Sequence, residues 1–264
     1  MTDAPLGLVC YLNTSPYRYG LRQLGHTNWI NDLPSRLLPR IRSGQVDAAV
    51  LPAFDALSNP DLPVLPGSCI ASHGAALSVK LFSRIPLRQV AMVALDTSSR
   101  TSAALTRVVL AMRDCHPSYS TMAPDLAAML TSADAALLIG DPCMRADTTG
   151  LVVTDLGEEW LRLTGLPFVF ALWAARPGAD LVGLTQLISE AKQMGLSNIE
   201  RVAAEECDSV GLTRDQCLTY LRDHMRYDLN KPEQMGLERY RQLCVEQKLI
   251  PDAGPVRFEL EAHA

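Results

Sequence analysis

Residues 90–112 carry the sharpest change of rhythm in the chain. Val90-Ala91-Met92-Val93-Ala94-Leu95 is an unbroken apolar run, the pattern of a strand buried on both faces. Beyond it, Leu105, Val108, Val109 and Met112 fall at the i, i+3, i+4, i+7 spacing of one helix face. Between the two lies Asp96-Thr97-Ser98-Ser99-Arg100-Thr101-Ser102, short, polar and rich in hydroxyls. The same reading predicts strands at 7–12, 46–51, 75–82, 135–139 and 167–174. It predicts helices at 34–44, bent by Pro39, and at 122–130 and 158–163. Asn13-Thr14-Ser15-Pro16, Arg84-Ile85-Pro86, Gly140-Asp141-Pro142 and Gly165 mark the breaks. After Pro177 the pattern is helical throughout. Ser197…Glu200 and Thr213…Gln216 match capping boxes, and Asn230…Glu233 imitates one with a proline in its first turn. Carboxylates at such positions, with Glu158-Glu159 and Glu205-Glu206, are expected to start helices or face solvent.

Strands alternating with helices predict an α/β fold built on parallel sheet, and 264 residues suffice for two lobes. The strands at 75–82 and 167–174 bracket the middle of the chain and would carry it out and back. The expected division is 1–85 with 175–264 in one lobe and 86–174 in the other, with a ligand cleft between them.

Composition narrows the partners. The chain is 48% hydrophobic and 20% charged with a net charge of −5, and it has no basic stripe, so nucleic acid is not an expected partner. Seven scattered cysteines without a C-x-x-C pair and five dispersed histidines suggest neither a disulfide framework nor a metal site. The N-terminal residues lack the pattern of a signal peptide, and the longest apolar run, 166–175, is too short to span a bilayer. A cytoplasmic protein with no membrane partner is the expectation; the oligomeric state is open.

In open α/β sheets, ligands bind beyond the carboxyl ends of the strands. That rule selects Asn13-Thr14-Ser15, residues 97–102, and Gly140-Asp141. The 97–102 segment feeds a helix, whose first N–H groups and dipole suit a carboxylate or phosphate. Ser98 or Ser99 serving only as an N-cap is the plainer alternative. The selected residues are small, neutral and hydrogen-bonding, with Arg100 the one cation, a set suited to an organic anion. Trp160 and Trp173 are expected in the core, and Cys10 and Cys143 as small buried fillers.

Six ordered segments carry a resemblance to a known family. They are Tyr11-Leu12-Asn13-Thr14; Asp32-Leu33-Pro34-Ser35; Gly44-Gln45-Val46-Asp47-Ala48-Ala49; Leu95 through Ser102; Leu137-Leu138-Ile139-Gly140-Asp141; and Asp155 through Trp160 followed by Thr164 through Ala171. In this order the chain resembles the chorismate dehydratases of the futalosine route to menaquinone, over about residues 8–250. Pro142-Cys143 and Pro39 depart from the family's pattern. The family resembles type II periplasmic solute-binding proteins in fold, two lobes joined by crossover strands. The resemblance implies removal of water from chorismate to give 3-[(1-carboxyvinyl)oxy]benzoate, driven by ring aromatisation and needing no redox cofactor. It also implies a dianionic small molecule as partner. One carboxylate is then expected at Ser99, Arg100, Thr101 and Ser102 beside Gly140, with Ser35, Ser72 and Ser78 as candidates for the second. Asn13 is expected to act at the ring or the departing hydroxyl. For the base, Asp141, His73 and the substrate's own enolpyruvyl carboxylate stay open. A non-catalytic anion-binding protein and the dihydroxynaphthoate synthase of the same fold are the alternative functions.

Overall fold

The computed structural model describes residues 3–258. In chain order its elements are β1 (Leu6–Val9), α1 (Ser15–Gln23), β2 (Trp29–Asp32), α2 (Pro34–Arg42), β3 (Ala48–Pro52), α3 (Ala53–Ser58), β4 (Val64–Ser72) and β5 (Val79–Ser83). The middle of the chain adds β6 (Met92–Asp96), α4 (Arg100–Met112), β7 (Ser118–Met122), α5 (Leu126–Ser132), β8 (Ala135–Ile139), α6 (Gly140–Arg145), β9 (Val152–Asp155) and α7 (Leu156–Thr164). Then follow β10 (Phe168–Ala175), α8 (Leu181–Ser197), α9 (Ile199–Val210), α10 (Arg214–Thr219), β11 (Met225–Arg226) and α11 (Lys231–Glu246).

The strands form two sheets, ordered β11-β4-β10-β3-β1-β2 and β7-β6-β8-β5-β9. Each has a parallel set running to one edge, β3-β1-β2 in the first and β8-β6-β7 in the second. Each is extended antiparallel by one strand at a crossing, β10 against β3 and β4, and β5 against β8 and β9. The chain passes between the sheets twice, at 73–78 and 156–167. The expected lobe boundaries at 85 and 175 place the crossing strands differently from their hydrogen bonding. β5 pairs within the second sheet and β10 within the first, because each is bonded to strands on the far side of its crossing.

Periodic segments formed as expected. α2 starts on Pro34, contains Pro39 and buries Leu37 and Ile41, one turn apart. α4 buries Leu105, Val108 and Val109. β3 and β8 are buried at every residue. The differences lie at half-exposed edges. Residue 122 ends a strand, not a helix; β7 is a polar edge strand, and α5 begins only after Asp125 caps it. β2, β4, β9 and β11 were not legible. β4 runs through Pro66-Gly67, with Gly67 at φ +75° and a register shift against β10. The strand expected at 75–82 starts only at Val79, since 73–78 is turn.

Thr213 and Gln216 close a full capping box. Ser197 does not, because it ends α8, and Asn198 stands at the α9 start with its amide on the Met194 carbonyl. Glu159 is 7% exposed and not solvated; it pairs with Arg113 at 3.2 Å and Arg162 at 2.6 Å, fastening α7 to the end of α4. Trp160 lies in the core, edge-on to Phe168 and Tyr240. Cys143 is buried, whereas Cys10 is exposed. Among the described residues no helix is long and apolar enough to cross a membrane.

Candidate functional site

The carboxyl ends of β1, β3, β6 and β8 converge on the seam between the sheets, where they border a partly open cavity of about 50 Å³. From the first sheet's side it is lined by Val9, Tyr11, Asn13, Pro34, Val50, Pro52, Ile70, Phe170, Ala171 and Met225. From the second come Ser78, Val79, Ser99, Ser102, Ile139 and Gly140. Five of the expected site residues, Asn13, Ser78, Ser99, Ser102 and Gly140, are thereby brought together.

Ser99 is the N-cap of α4: its Oγ accepts the Ser102 amide at 3.2 Å and donates to Ser102 Oγ at 3.1 Å. That capping leaves Ser102 Oγ–H able to donate outward. The amides of Arg100 and Thr101, at the first two helical positions, have no intrahelical acceptor. The N-cap reading of this segment holds for Ser99, and the helix end that it caps is the turn bordering the cavity. Gly140 opens α6 at φ +65°, and a Cβ there would fall 2.8 Å from ring atoms of Tyr11, so only glycine lets β8 end against that ring. Ser78 Oγ lies 2.9 Å from the Tyr220 hydroxyl.

Asn13 sits in a 3₁₀ turn after β1, and its Oδ1 is buried without a hydrogen-bond partner. A buried carbonyl oxygen left unpaired costs about 1–3 kcal/mol. The loop is held by Arg18, a buried residue that the sequence reading passed over. Its guanidinium donates to the carbonyls of Val9 (3.1 Å) and Tyr11 (3.2 Å), to Thr14 Oγ1 (2.7 Å) and Ser15 Oγ (2.6 Å), and pairs with Glu206 at 3.1 Å. The available signal was an arginine four residues after Thr14 and three before Leu21, on the inward face of a predicted turn-to-helix segment.

The other expected residues serve the seam. Asp141 Oδ1 accepts the Leu12 amide at 3.0 Å, joining β8's end to β1's loop. Burial pushes its carboxyl above the usual value of 3.8, opposed by the Leu12 amide and the charges of Arg18 and Arg145. Thr101 Oγ1 accepts the Phe54 amide at 2.9 Å, and its carbonyl accepts the Tyr240 hydroxyl at 3.1 Å. Arg100 turns away from the cavity to pair with the buried Asp55 at 3.0 Å. Ser35 donates its amide to the Ser98 carbonyl at 3.2 Å, across the mouth. Ser72 spends its hydroxyl on the Gly74 carbonyl at 3.0 Å, and His73 is exposed beside it. None of these six lines the cavity.

Behind the wall, Asp96 accepts from the Ser98 amide (2.7 Å), the Ser98 hydroxyl (2.5 Å) and the Ile139 amide (3.3 Å). It thereby fixes the ends of β6 and β8 together. Tyr11 is the only titratable group among the described residues of the lining, and burial pushes its phenol up to about 12.

Two α/β sheets, two crossings and a seam cavity, mostly apolar with four neutral polar side chains, give the two-lobed fold of the periplasmic-binding-protein type. Solved structures agree: an Archaeoglobus fulgidus protein superposes with a TM-score of 0.74 at 16% identity, covering 94% of this chain and 98% of that one. The periplasmic aliphatic sulphonate binding protein of Escherichia coli gives a TM-score of 0.65 at 17% identity, with 98% and 91% covered. Within that class the match is narrower: the chain belongs to the menaquinone biosynthesis family, whose model matches residues 5–246. A curated relative, the chorismate dehydratase of Thermus thermophilus, is 32% identical over 254 residues, spanning 89% of this chain and 93% of its own.

Proposed function

We propose that this protein is a chorismate dehydratase, forming 3-[(1-carboxyvinyl)oxy]benzoate in the cytoplasm as a step toward menaquinone. The observation that carries the reading is a largely apolar cavity that holds Ser78 and Asn13, with Ser99 and Ser102 at the start of a helix, in a chain 32% identical to an enzyme of that name. In this reading one substrate carboxylate takes Ser102 Oγ–H and the amides at the start of α4. Charge-assisted hydrogen bonds of this kind contribute about 1.5–3 kcal/mol each, so a few suffice without a cation in contact. Ser78 serves the second carboxylate, and Asn13 orients the ring hydroxyl that leaves.

The elimination breaks the C–H bond at the ring carbon bearing the enol ether and the neighbouring C–OH bond. The C–H electron pair completes the aromatic ring, and proton and hydroxide leave as water. Among the lining groups only Tyr11 titrates, and with its phenol raised to about 12 it is no base at neutral pH. The substrate's enolpyruvyl carboxylate is therefore the base in this account. The chain supplies orientation and a preorganised polar wall, a contribution on the scale of several kcal/mol of barrier. Asp141 and His73, both outside the lining, are assigned no proton.

The test is loss of the chorismate diene absorbance on incubation with the purified protein. Catalytic loss is expected, and Asp141→Asn should keep most of it. Stoichiometric binding without turnover would favour an anion-binding protein, and no interaction would remove the reading.

A further inference from the structure

The two crossings between the sheets meet at one carboxylate that the chemistry above does not use. Asp155 ends β9, and its Oδ1 accepts the amides of Gly157 (3.0 Å) and Glu158 (3.2 Å), an ordinary cap for α7. The same Oδ1 also accepts the Ala76 amide at 2.9 Å, and Oδ2 accepts that of Leu77 at 2.7 Å. Those two residues lie in the first crossing, far away in sequence. α7 approaches that crossing so closely that a Cβ on Gly157 would fall 2.6 Å from the Gly74 carbonyl oxygen and 2.7 Å from Ser72 Oγ.

The turn held this way is strained. Leu77 has φ +60°, and the Ser78 amide donates back to the Ala76 carbonyl at 2.7 Å, a three-residue turn of the rarer hand. A leucine enters that region only when its surroundings impose it. The next residue is Ser78, whose hydroxyl lines the cavity and whose carbonyl accepts the Gly140 amide at 2.7 Å. The conformation of Leu77 therefore sets where two wall residues stand.

We propose that Asp155 is a positioning residue for the dehydration. Its carboxylate holds the Leu77 turn in the left-handed conformation that presents Ser78 to the substrate, and by binding both crossings it fixes that wall against the first sheet. Asp155 itself does not line the cavity. The kinetic part of this inference rests on the chorismate reading; the geometric part does not.

The experiment compares Asp155→Asn, Leu77→Gly, Leu77→Val and the Asp155→Asn/Leu77→Gly double variant with wild type, in steady-state turnover of chorismate and in thermal unfolding. Asp155→Asn should lower kcat/KM by about 10²-fold, the effect of a misplaced binding group. Glycine accepts φ +60° freely, so the double variant should recover at least about tenfold of that loss. Leu77→Val keeps the carboxylate and the α7 cap but resists the turn, and should reproduce the loss even if Asp155→Asn fails to fold. A residue that merely caps α7 would give no rescue by Leu77→Gly. Wild-type kcat/KM in folded Asp155→Asn or in Leu77→Val, or no recovery in the double variant, would overturn the proposal. If wild type leaves chorismate unchanged, the functional reading fails, and unfolding alone decides the clamp. Non-additive effects of Asp155→Asn and Leu77→Gly on melting temperature are then expected, and strictly additive ones would overturn it.

Discussion

At the scale of single residues, the cavity presents the neutral groups of Asn13, Ser78, Ser99 and Ser102 beside the Tyr11 phenol, while Asp96 and Asp141 stay outside its lining. Asn13 is the clearest instance, because it lines the cavity and its buried Oδ1 has no partner. Asn13→Ala should lower kcat on chorismate by about 10²-fold, the loss seen when a preorganised polar group is removed, with a melting temperature no lower than wild type showing that the fold survives. Asp141 makes a different prediction. Its carboxyl is raised above 3.8 by burial, so the folded protein binds its proton at higher pH than the unfolded chain does. Stability contributed by the protonated form is complete below the unfolded value and is lost as pH rises through the raised one. Urea midpoints of Asp141→Asn should therefore gain on wild type as pH rises from about 4, and a gap that narrows as pH rises would contradict this. The residue chemistry was only partly legible. Ser99, Ser102, Gly140 and Asn13 announced themselves because small polar residues follow apolar strands. Arg18 did not, since a cation folded back onto backbone carbonyls leaves no local pattern. Arg100 looked available because nothing in its own segment reveals Asp55, 45 residues away.

At the scale of elements, each strand end contributes what its last residues allow. β8 stops at Gly140, where positive φ and the Tyr11 ring both exclude a side chain. Gly140→Ala should destabilise the protein and displace Tyr11, costing about 1–3 kcal/mol from the overpacked contact, measurable by denaturant unfolding. A variant as stable as wild type would show that Tyr11 has room to move. The elements that the sequence revealed, β3, β6, β8, α2 and α4, are the ones whose burial is complete on one face or all round. Those it hid are edge or interrupted strands. β7 and β9 expose part of every turn of the pleat, and β4 passes a Pro-Gly bulge, so neither alternation nor a continuous run appears. The strain at Leu77 was invisible for a related reason. It is imposed by Asp155 from across the fold and not by any local glycine or asparagine.

At the scale of the whole molecule, the structure is closed. Bonds across the seam join Ser35 to Ser98, Leu12 to Asp141, Phe54 to Thr101, and Arg100 to Asp55. The cavity's 50 Å³ has room for a few water molecules, far below the few hundred Å³ or more typical of small-molecule sites. Entry of a ring with two carboxylates requires the seam to part, and the cross-seam amides are the ones that must open. Hydrogen exchange at the Ser35, Leu12 and Phe54 amides should be faster than in β3 or β8 and should slow on adding chorismate. Unchanged exchange at saturating chorismate would place the ligand elsewhere.

In the reading proposed here, this cavity dehydrates chorismate. The direct measurement is mass spectrometry of chorismate incubated with substoichiometric purified protein, beside Asn13→Ala at equal concentration. The account requires many equivalents of a product lighter than chorismate by one water, with 3-substituted benzoate absorbance, and little from the variant. Chorismate recovered intact, or equal turnover by Asn13→Ala, would contradict it.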